Sequence, residues 1–362
     1  MESVGLYIHI PYCESKCTYC DFASFTGKTD TIDAYIDACM KELSSYGHLL
    51  VDTVYFGGGT PSVLRPGDMT RLMKGIRERV ELAEDAEITS EANPNSLTEE
   101  KICEFRDAGI NRISMGLQET DTKLLRILGR IHDAADFERA VYNCVRYGIT
   151  NISGDLMYSL PTQTVENCRK AAEFISSLPV THVSAYALRL EEGTPLYGAE
   201  QPDEDTDREM FSVIGSVLKE KGFLRYEISN FSLPGYECRH NMKYWEMDDY
   251  VGIGVSAHSC YRGVRHGNAV TIPSYLSMME KDGNAVISRE DVDQLEEYVM
   301  LSTRTAKGLS LSKASLREDD PVVERMTREG LAFLKGDRLI LTDRGMDIQN
   351  SIVLMLLSRS GK

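Results

Sequence analysis

The sequence predicts an α/β fold: six parallel strands with helices outside them form an incomplete (β/α)6 barrel, followed by a small α+β, winged-helix-like module. Three observations predict it. Over the first two hundred residues, short apolar runs alternate with amphipathic helical stretches, which is the pattern of βα units. Polar and glycine-rich residues gather where those strands end, as they do at the ligand-binding rim of barrels. Finally, 362 residues with 42% apolar and 27% charged content suit one large core with an appended module.

The elements follow in order. Strands are expected near Val4–Ile10, Thr53–Phe56, Glu87–Glu91, Arg112–Gly116, Ile152–Met157 and His182–Leu188. Helices fall between them, over Thr31–Tyr46, Pro66–Val80, Thr98–Ala108, Ala134–Tyr147 and Thr164–Ser177. Thr98 has no carboxylate three residues on, so it is an N-cap without a full capping box. Such a series makes either an open doubly wound sheet or an incomplete barrel, and both carry ligands at the C-terminal strand ends. Gly57-Gly58-Gly59 after the second strand, Glu91 closing the third and Gln118 just past the fourth favour the barrel.

A helix and short strand are expected over Asp203–Glu227, then a less regular segment to about Ser288. Beyond it, Asp291–Thr303 and Pro321–Leu334 read as helices, and Leu334–Leu341 as a hairpin turning at Lys335-Gly336-Asp337. The division is a barrel over 1–200, an extension over 201–288 and a C-terminal module over 289–362. Acidic and basic residues are about equally plentiful in that module, so it reads as a packing or partner-binding element.

A net charge of −16 argues against a nucleic-acid surface, which needs a basic face. Met1-Glu2-Ser3-Val4 has no basic export region, and the longest late apolar run, Ile352–Leu357, is far short of the roughly 20 residues that span a bilayer. Nine cysteines, an odd number, read as cytoplasmic thiols and not as a disulfide framework.

Cys13-Glu14-Ser15-Lys16-Cys17-Thr18-Tyr19-Cys20 is a CxxxCxxC run just past the first strand. Three thiolates on one loop can hold three corners of a [4Fe–4S] cube and leave the fourth iron open. A zinc site would need a fourth ligand, and no second cysteine pair is present; unrelated buried thiols are the other alternative. Strand alternation sets Leu6, Ile8 and Ile10 on one face and Tyr7 and His9 on the other, toward the lumen of a barrel. Gly57-Gly58-Gly59-Thr60-Pro61 is either a ligand-hugging loop or a tight βα turn. Glu91 can accept from an ammonium or a ribose, Gln118 can donate and accept, and Arg130 can clamp a carboxylate. Asp155, inside an apolar strand, calls for a partner. Each also has a bland reading as a cap, a solvated charge or a structural ion pair.

The cysteine run resembles the signature loop of radical S-adenosylmethionine (SAM) enzymes. The string Tyr7-Ile8-His9-Ile10-Pro11-Tyr12-Cys13 narrows the resemblance to the branch holding oxygen-independent coproporphyrinogen III dehydrogenases and HemW-type haem chaperones. It extends along nearly the whole chain. It implies a [4Fe–4S] cluster on Cys13, Cys17 and Cys20, whose open iron is chelated by the methionyl amine and carboxylate of SAM. It also implies SAM contacts from Tyr7, Tyr19, Gly58, Gly59, Thr60, Glu91, Gln118, Arg130, Asp155 and Ala187.

Two departures separate the branch members. Phe22 stands where the dehydrogenases carry a fourth cysteine, and only twelve residues precede Cys13 where they carry a long arm. His240-Asn241-Met242-Lys243-Tyr244-Trp245, with the only tryptophan, resembles the haem-associated string of the chaperones. It offers His240, or Cys238 two residues earlier, as an axial ligand, and otherwise reads as a hydrogen-bonded structural turn. His258, in the Gly252–His258 loop, is expected near the cofactor. The resemblance thus implies a cytoplasmic haem chaperone with a cluster, SAM and haem as cargo, passing haem to an acceptor protein. The alternatives are a radical SAM enzyme acting on a tetrapyrrole or another substrate, and a metal-binding barrel without SAM chemistry.

Overall fold

The computed structural model describes residues 3–358; Met1 and Glu2, read above for an export signal, lie outside them. Six parallel strands, β1 (Val4–Ile10), β2 (Leu50–Gly58), β3 (Glu81–Ala92), β4 (Arg112–Gln118), β5 (Asn151–Tyr158) and β6 (His182–Ala187), lie side by side in chain order. Helices α1 (Ile32–Ser44), α2 (Asp68–Arg77), α3 (Glu99–Ala108), α4 (Thr122–Ile127), α5 (Ala134–Arg146) and α6 (Val165–Ser177) connect them. Thr98 is the N-cap expected, accepting from the Lys101 amide, and Asp133 and Thr164 in addition open reciprocal capping boxes with Asp136 and Asn167.

Strand β1 does not pair with β6, so the barrel is incomplete, as expected. The sheet continues past both ends to twelve strands. After α7 (Glu204–Glu220), β7 (Leu224–Arg225) and β8 (Asn230–Ser232) add antiparallel strands beyond β6. Helix α8 (Arg239–Glu246) follows, then β9 (Tyr250–Ile253) pairs parallel with β1. β10 (His258–Tyr261), β11 (Val264–Asn268), helix α9 (Ile272–Lys281) and β12 (Val286–Asp291) complete that edge. The stretch expected to be irregular therefore holds short strands together with two helices, α8 and α9. Its strands are too short for alternation to show, and its hairpin turns on Arg262-Gly263, with φ of 54° and 77°, without an asparagine or aspartate signal.

The last segment has its own apolar core, centred on Val299, Leu309, Val323, Met326, Leu339 and Ile352. Helices α10 (Gln294–Ser302) and α11 (Pro321–Arg328) pack on a small sheet of β13 (Leu309–Ser310), β14 (Ala332–Lys335) and β15 (Arg338–Leu341), followed by α12 (Asp343–Asp347) and α13 (Gln349–Leu357). The expected helix over Pro321–Leu334 is corrected here: it ends at Arg328, because Gly330 at φ 69° breaks it before β14. The module holds the barrel through Arg304, which pairs with the buried Glu227 and lies 4.3 Å from the Trp245 ring centre, and through Arg225–Asp347 at 3.0 Å. No helix among the described residues is long and apolar enough to cross a membrane.

One buried carboxyl ties the β9 edge to the outer helices. Glu42 of α1 accepts from the Gly254 amide at 2.9 Å, the Asn268 side-chain amide at 2.6 Å and the Tyr275 hydroxyl at 2.6 Å. Replacing it strands three buried donors. Glu42→Ala is therefore expected to cost about 3 kcal/mol in urea unfolding, and a loss under about 1 kcal/mol would show that the network is dispensable.

Candidate functional site

Alternation gives the parallel strands two chemically different faces. Outward residues such as Ile8, Val54, Ile88, Ile113, Ile152 and Val183 belong to the main apolar core. The inward set is polar: Tyr7 and His9, Thr53 and Tyr55, Glu87 and Glu91, Arg112 and Ser114, Ser153 and Asp155, His182 and Ser184. The upper part of this lumen is a cavity of about 380 Å³, within the usual range for a small-molecule site.

The cysteine loop forms the rim of that cavity and is held by backbone. The Cys13 amide donates to the Phe25 carbonyl at 3.1 Å and the Thr18 amide to Leu128 at 3.2 Å, while Lys16 reaches the carbonyls of Phe22 and Ser24. All three cysteines are free and line the cavity. Cys13 Sγ sits 3.5 Å from Thr60 Oγ1 and Cys20 Sγ 3.9 Å from Ser24 Oγ. Among the described residues, no three His, Cys, Asp or Glu side chains converge on one point as ligands of a single ion must. A cube takes one thiolate at each of three corners, so three thiols spread along one loop fit that donor set. Cys39, Cys103, Cys144 and Cys168 lie in outer helices, away from the loop.

Beneath the loop, His9 is a structural histidine: it bonds the Tyr7 hydroxyl at 3.0 Å and the Ala23 carbonyl at 2.9 Å. It also explains one glycine. Gly58 has φ 108°, and a Cβ there would lie 2.4 Å from the His9 ring. The Gly58 amide and the Tyr55 hydroxyl, at 3.2 and 2.9 Å, donate to the two oxygens of Glu91. Burial, aided by the nearby Asp155, pushes the Glu91 carboxyl up to about 7. Burial likewise raises Asp155, which Ser114 and Ser184 hold by their hydroxyls.

Arg130 donates to Asn93 Oδ1 at 2.7 Å and to the Tyr19 hydroxyl at 2.9 Å, leaving its buried Nε without a partner. Tyr19, pushed up to about 12 by burial, stays neutral beside it. Gln118 closes β4 at φ 68°, a left-handed conformation that is costly for a residue with a side chain. That strain aims its amide into the cavity.

Cys13, Cys17, Cys20, Tyr19, Gly58, Gly59, Thr60, Glu91, Gln118, Arg130 and Asp155 line this cavity, whereas Tyr7, Ala187, Cys238, His240 and His258 do not. Tyr7 lies below, stacked 6.2 Å from Tyr55, and Ala187 ends β6. Lining residues that had no role from the sequence alone include Tyr55, Asn93, Arg112, His182, Ser184 and Tyr186. The two-residue spacing of Arg112, Ser114, Gly116 and Gln118 was the available signal for Arg112.

The His240–Trp245 string is not a turn but helix α8, which closes the lower end of the lumen. Glu87 accepts the amides of Arg239 and His240 at 3.2 and 3.1 Å, capping the helix from β3. His240 has no free ring nitrogen: Nδ1 bonds Thr53 Oγ1 at 2.9 Å and Nε2 the Tyr244 hydroxyl at 2.7 Å. Burial, with Lys243 and Arg112 nearby, drops it to about 3. Cys238 is fully buried, with its thiol pushed up to about 12, so it stays protonated. His258 is exposed at the start of β10 and does not line the cavity.

Residues 7–175 match the family model of the radical SAM superfamily. The chain is 33% identical to the heme chaperone HemW of Lactococcus lactis subsp. lactis (strain IL1403), covering 96% of this chain and 95% of that protein. It is 30% identical to the protein of the same name from Bacillus subtilis (strain 168), over 96% and 97%. In fold it is similar to the coproporphyrinogen III oxidase HemN of Escherichia coli, a radical SAM enzyme, with a TM-score of 0.84 and 21% identity over 98% of this chain and 90% of that one.

The raised carboxyl of Glu91 carries a sign. Its folded value, about 7, lies above the ordinary 4.5, so the stability its neutral form contributes is complete below 4.5 and lost as pH rises through 7. Ligand-free protein should lose roughly 2 kcal/mol relative to Glu91→Gln between about pH 5 and about pH 8, read by urea unfolding. An equal gap at both pH values would count against a buried, titrating Glu91.

Proposed function

The chain belongs to the HemW family of the radical SAM superfamily, and from that premise we propose that it is a cytoplasmic haem chaperone which binds a [4Fe–4S] cluster, SAM and haem and passes the haem to an acceptor protein. The observation that carries the cofactor part is the gathering of three free thiols with Glu91, Gln118, Arg130 and Asp155 around one cavity. When bound, the cluster supplies an open iron and a single electron. The protein's own groups do the rest. Arg130, with a buried nitrogen unpartnered, receives the methionyl carboxylate, and Glu91, ionised beside a cation, receives the ammonium. Asp155 and Gln118 offer acceptors and a donor to the polar groups of the nucleoside, while Gly58, Gly59 and Thr60 let backbone approach the methionyl end.

Two features favour the chaperone over a porphyrinogen dehydrogenase. Phe22, 64% exposed beside the cluster loop, occupies the place of a fourth thiol, and the relatives named HemW match nearly end to end. Haem ligation by His240 requires its Nε2 to leave the Tyr244 hydroxyl.

The decisive experiment is anaerobic reconstitution followed by two assays. Added haem is expected to give a shifted Soret band, whereas SAM, reductant and coproporphyrinogen III are expected to yield no protoporphyrinogen IX; steady product would restore the dehydrogenase. Cys→Ala at position 13, 17 or 20 should abolish the iron and sulfide content. For the ligand, Tyr244→Phe frees Nε2 and should tighten haem binding severalfold, and His240→Ala should change the Soret spectrum. Identical spectra in wild type and both variants would reduce the string to a structural plug.

A further inference from the structure

The lumen holds two buried guanidinium groups, and the SAM reading uses one. Arg112, the first residue of β4, is 2% exposed, yet its Nε and Nη1 have no hydrogen-bond partner and it makes no ion pair among the described residues. A buried arginine without an acceptor is costly. The carboxylates near it are committed elsewhere. Glu87 is taken by the amides at the start of α8, Glu91 by Tyr55 and Gly58, and Asp155 by Ser114 and Ser184. They balance its charge from a distance and leave its donors empty. His182 cannot help: its nitrogens are bonded to Ser153 and Tyr226, and burial holds it neutral. Arg112 nonetheless lines the cavity, below Glu91 and Ser114 in register.

SAM brings a single carboxylate, and Arg130 sits at the rim beside the cysteine loop to receive it. A second planar fork of donors in the same cavity therefore matches a second carboxylate, from another ligand. The mouth shows what kind of molecule carries it. Phe22 and Tyr186, 64% and 41% exposed, both line the opening, and large exposed aromatics suit a flat apolar ring system. Resting on the haem-chaperone reading, we propose that Arg112 binds a propionate carboxylate of the haem cargo, whose ring lies toward the Phe22–Tyr186 mouth.

The test uses the full chain with its cluster reconstituted, titrated with haem and with haem dimethyl ester, in which both carboxylates are blocked. Wild type is expected to bind haem about tenfold or more tighter than the ester, the scale of one charge-assisted bidentate contact. Arg112→Gln should erase most of that preference, and Arg112→Lys, which keeps the charge and guards against misfolding of the first variant, should retain part of it. SAM affinity, by equilibrium dialysis at a pH above the Glu91 value, should stay within about twofold. Equal haem and ester binding by wild type, or an unchanged preference in both variants, overturns the inference while leaving the chaperone reading intact. Loss of SAM binding alone would assign Arg112 to SAM and overturn it as well. A wild type that binds neither haem nor ester would sink the chaperone reading itself, and this inference with it.

Discussion

A half-barrel that does not close must satisfy a polar inner face without filling its interior with water. Everything else in this structure depends on how α8 meets that constraint. Glu87 on β3 accepts the first amides of α8 and thereby holds the helix across the lower mouth of the lumen. His240 then locks to Thr53 of β2, and Lys243 to Asp52 at 3.0 Å. Above that helix, one cavity gathers the thiols of the cysteine loop and the carboxylates of the strands together. The same helix presents Trp245 to Arg304, so the plug also fastens the C-terminal module to the barrel.

Sealing sets the electrostatics. Inside, burial raises the carboxyls of Glu91 and Asp155 and lowers the imidazoles of His182 and His240. Arg112 and Arg130 are buried guanidinium groups lining the cavity, each with at least one nitrogen left over, whereas Lys16 on the cysteine loop is spent on the carbonyls of Phe22 and Ser24. Such an interior suits a zwitterionic or carboxylate-bearing guest, whose charges complete pairs that the protein leaves unfinished.

The rim is built differently, from backbone. Carbonyls of Phe25, Leu128 and Ala23 fix the cysteine loop, and Gly58 and Gly59 allow β2 to end directly against β1. Side chains on that loop are thus free to ligate, because its shape is held by main-chain bonds.

Much of this was legible in the residues alone. The strand–helix alternation marked out six parallel strands, and period-two alternation within them told Leu6, Ile8 and Ile10 from Tyr7 and His9. The CxxxCxxC run and the polar residues at strand ends named most of the cavity wall, since both signals are local and short-range order decides them. Tertiary structure alone decided the remainder. Short edge strands between 224 and 291 carry too few residues to show a period, and their pairing depends on distant partners. The string from His240 to Trp245 reads the same whether its histidine is a ligand or a brace; only the placement of Thr53 and Tyr244 on either side of its ring decides that. Arg112 looks like an ordinary strand-opening charge until three carboxylates, from two other strands, are each seen bonded elsewhere. Whether a buried charge is paired is a property of its neighbours in space, which no single stretch of sequence contains.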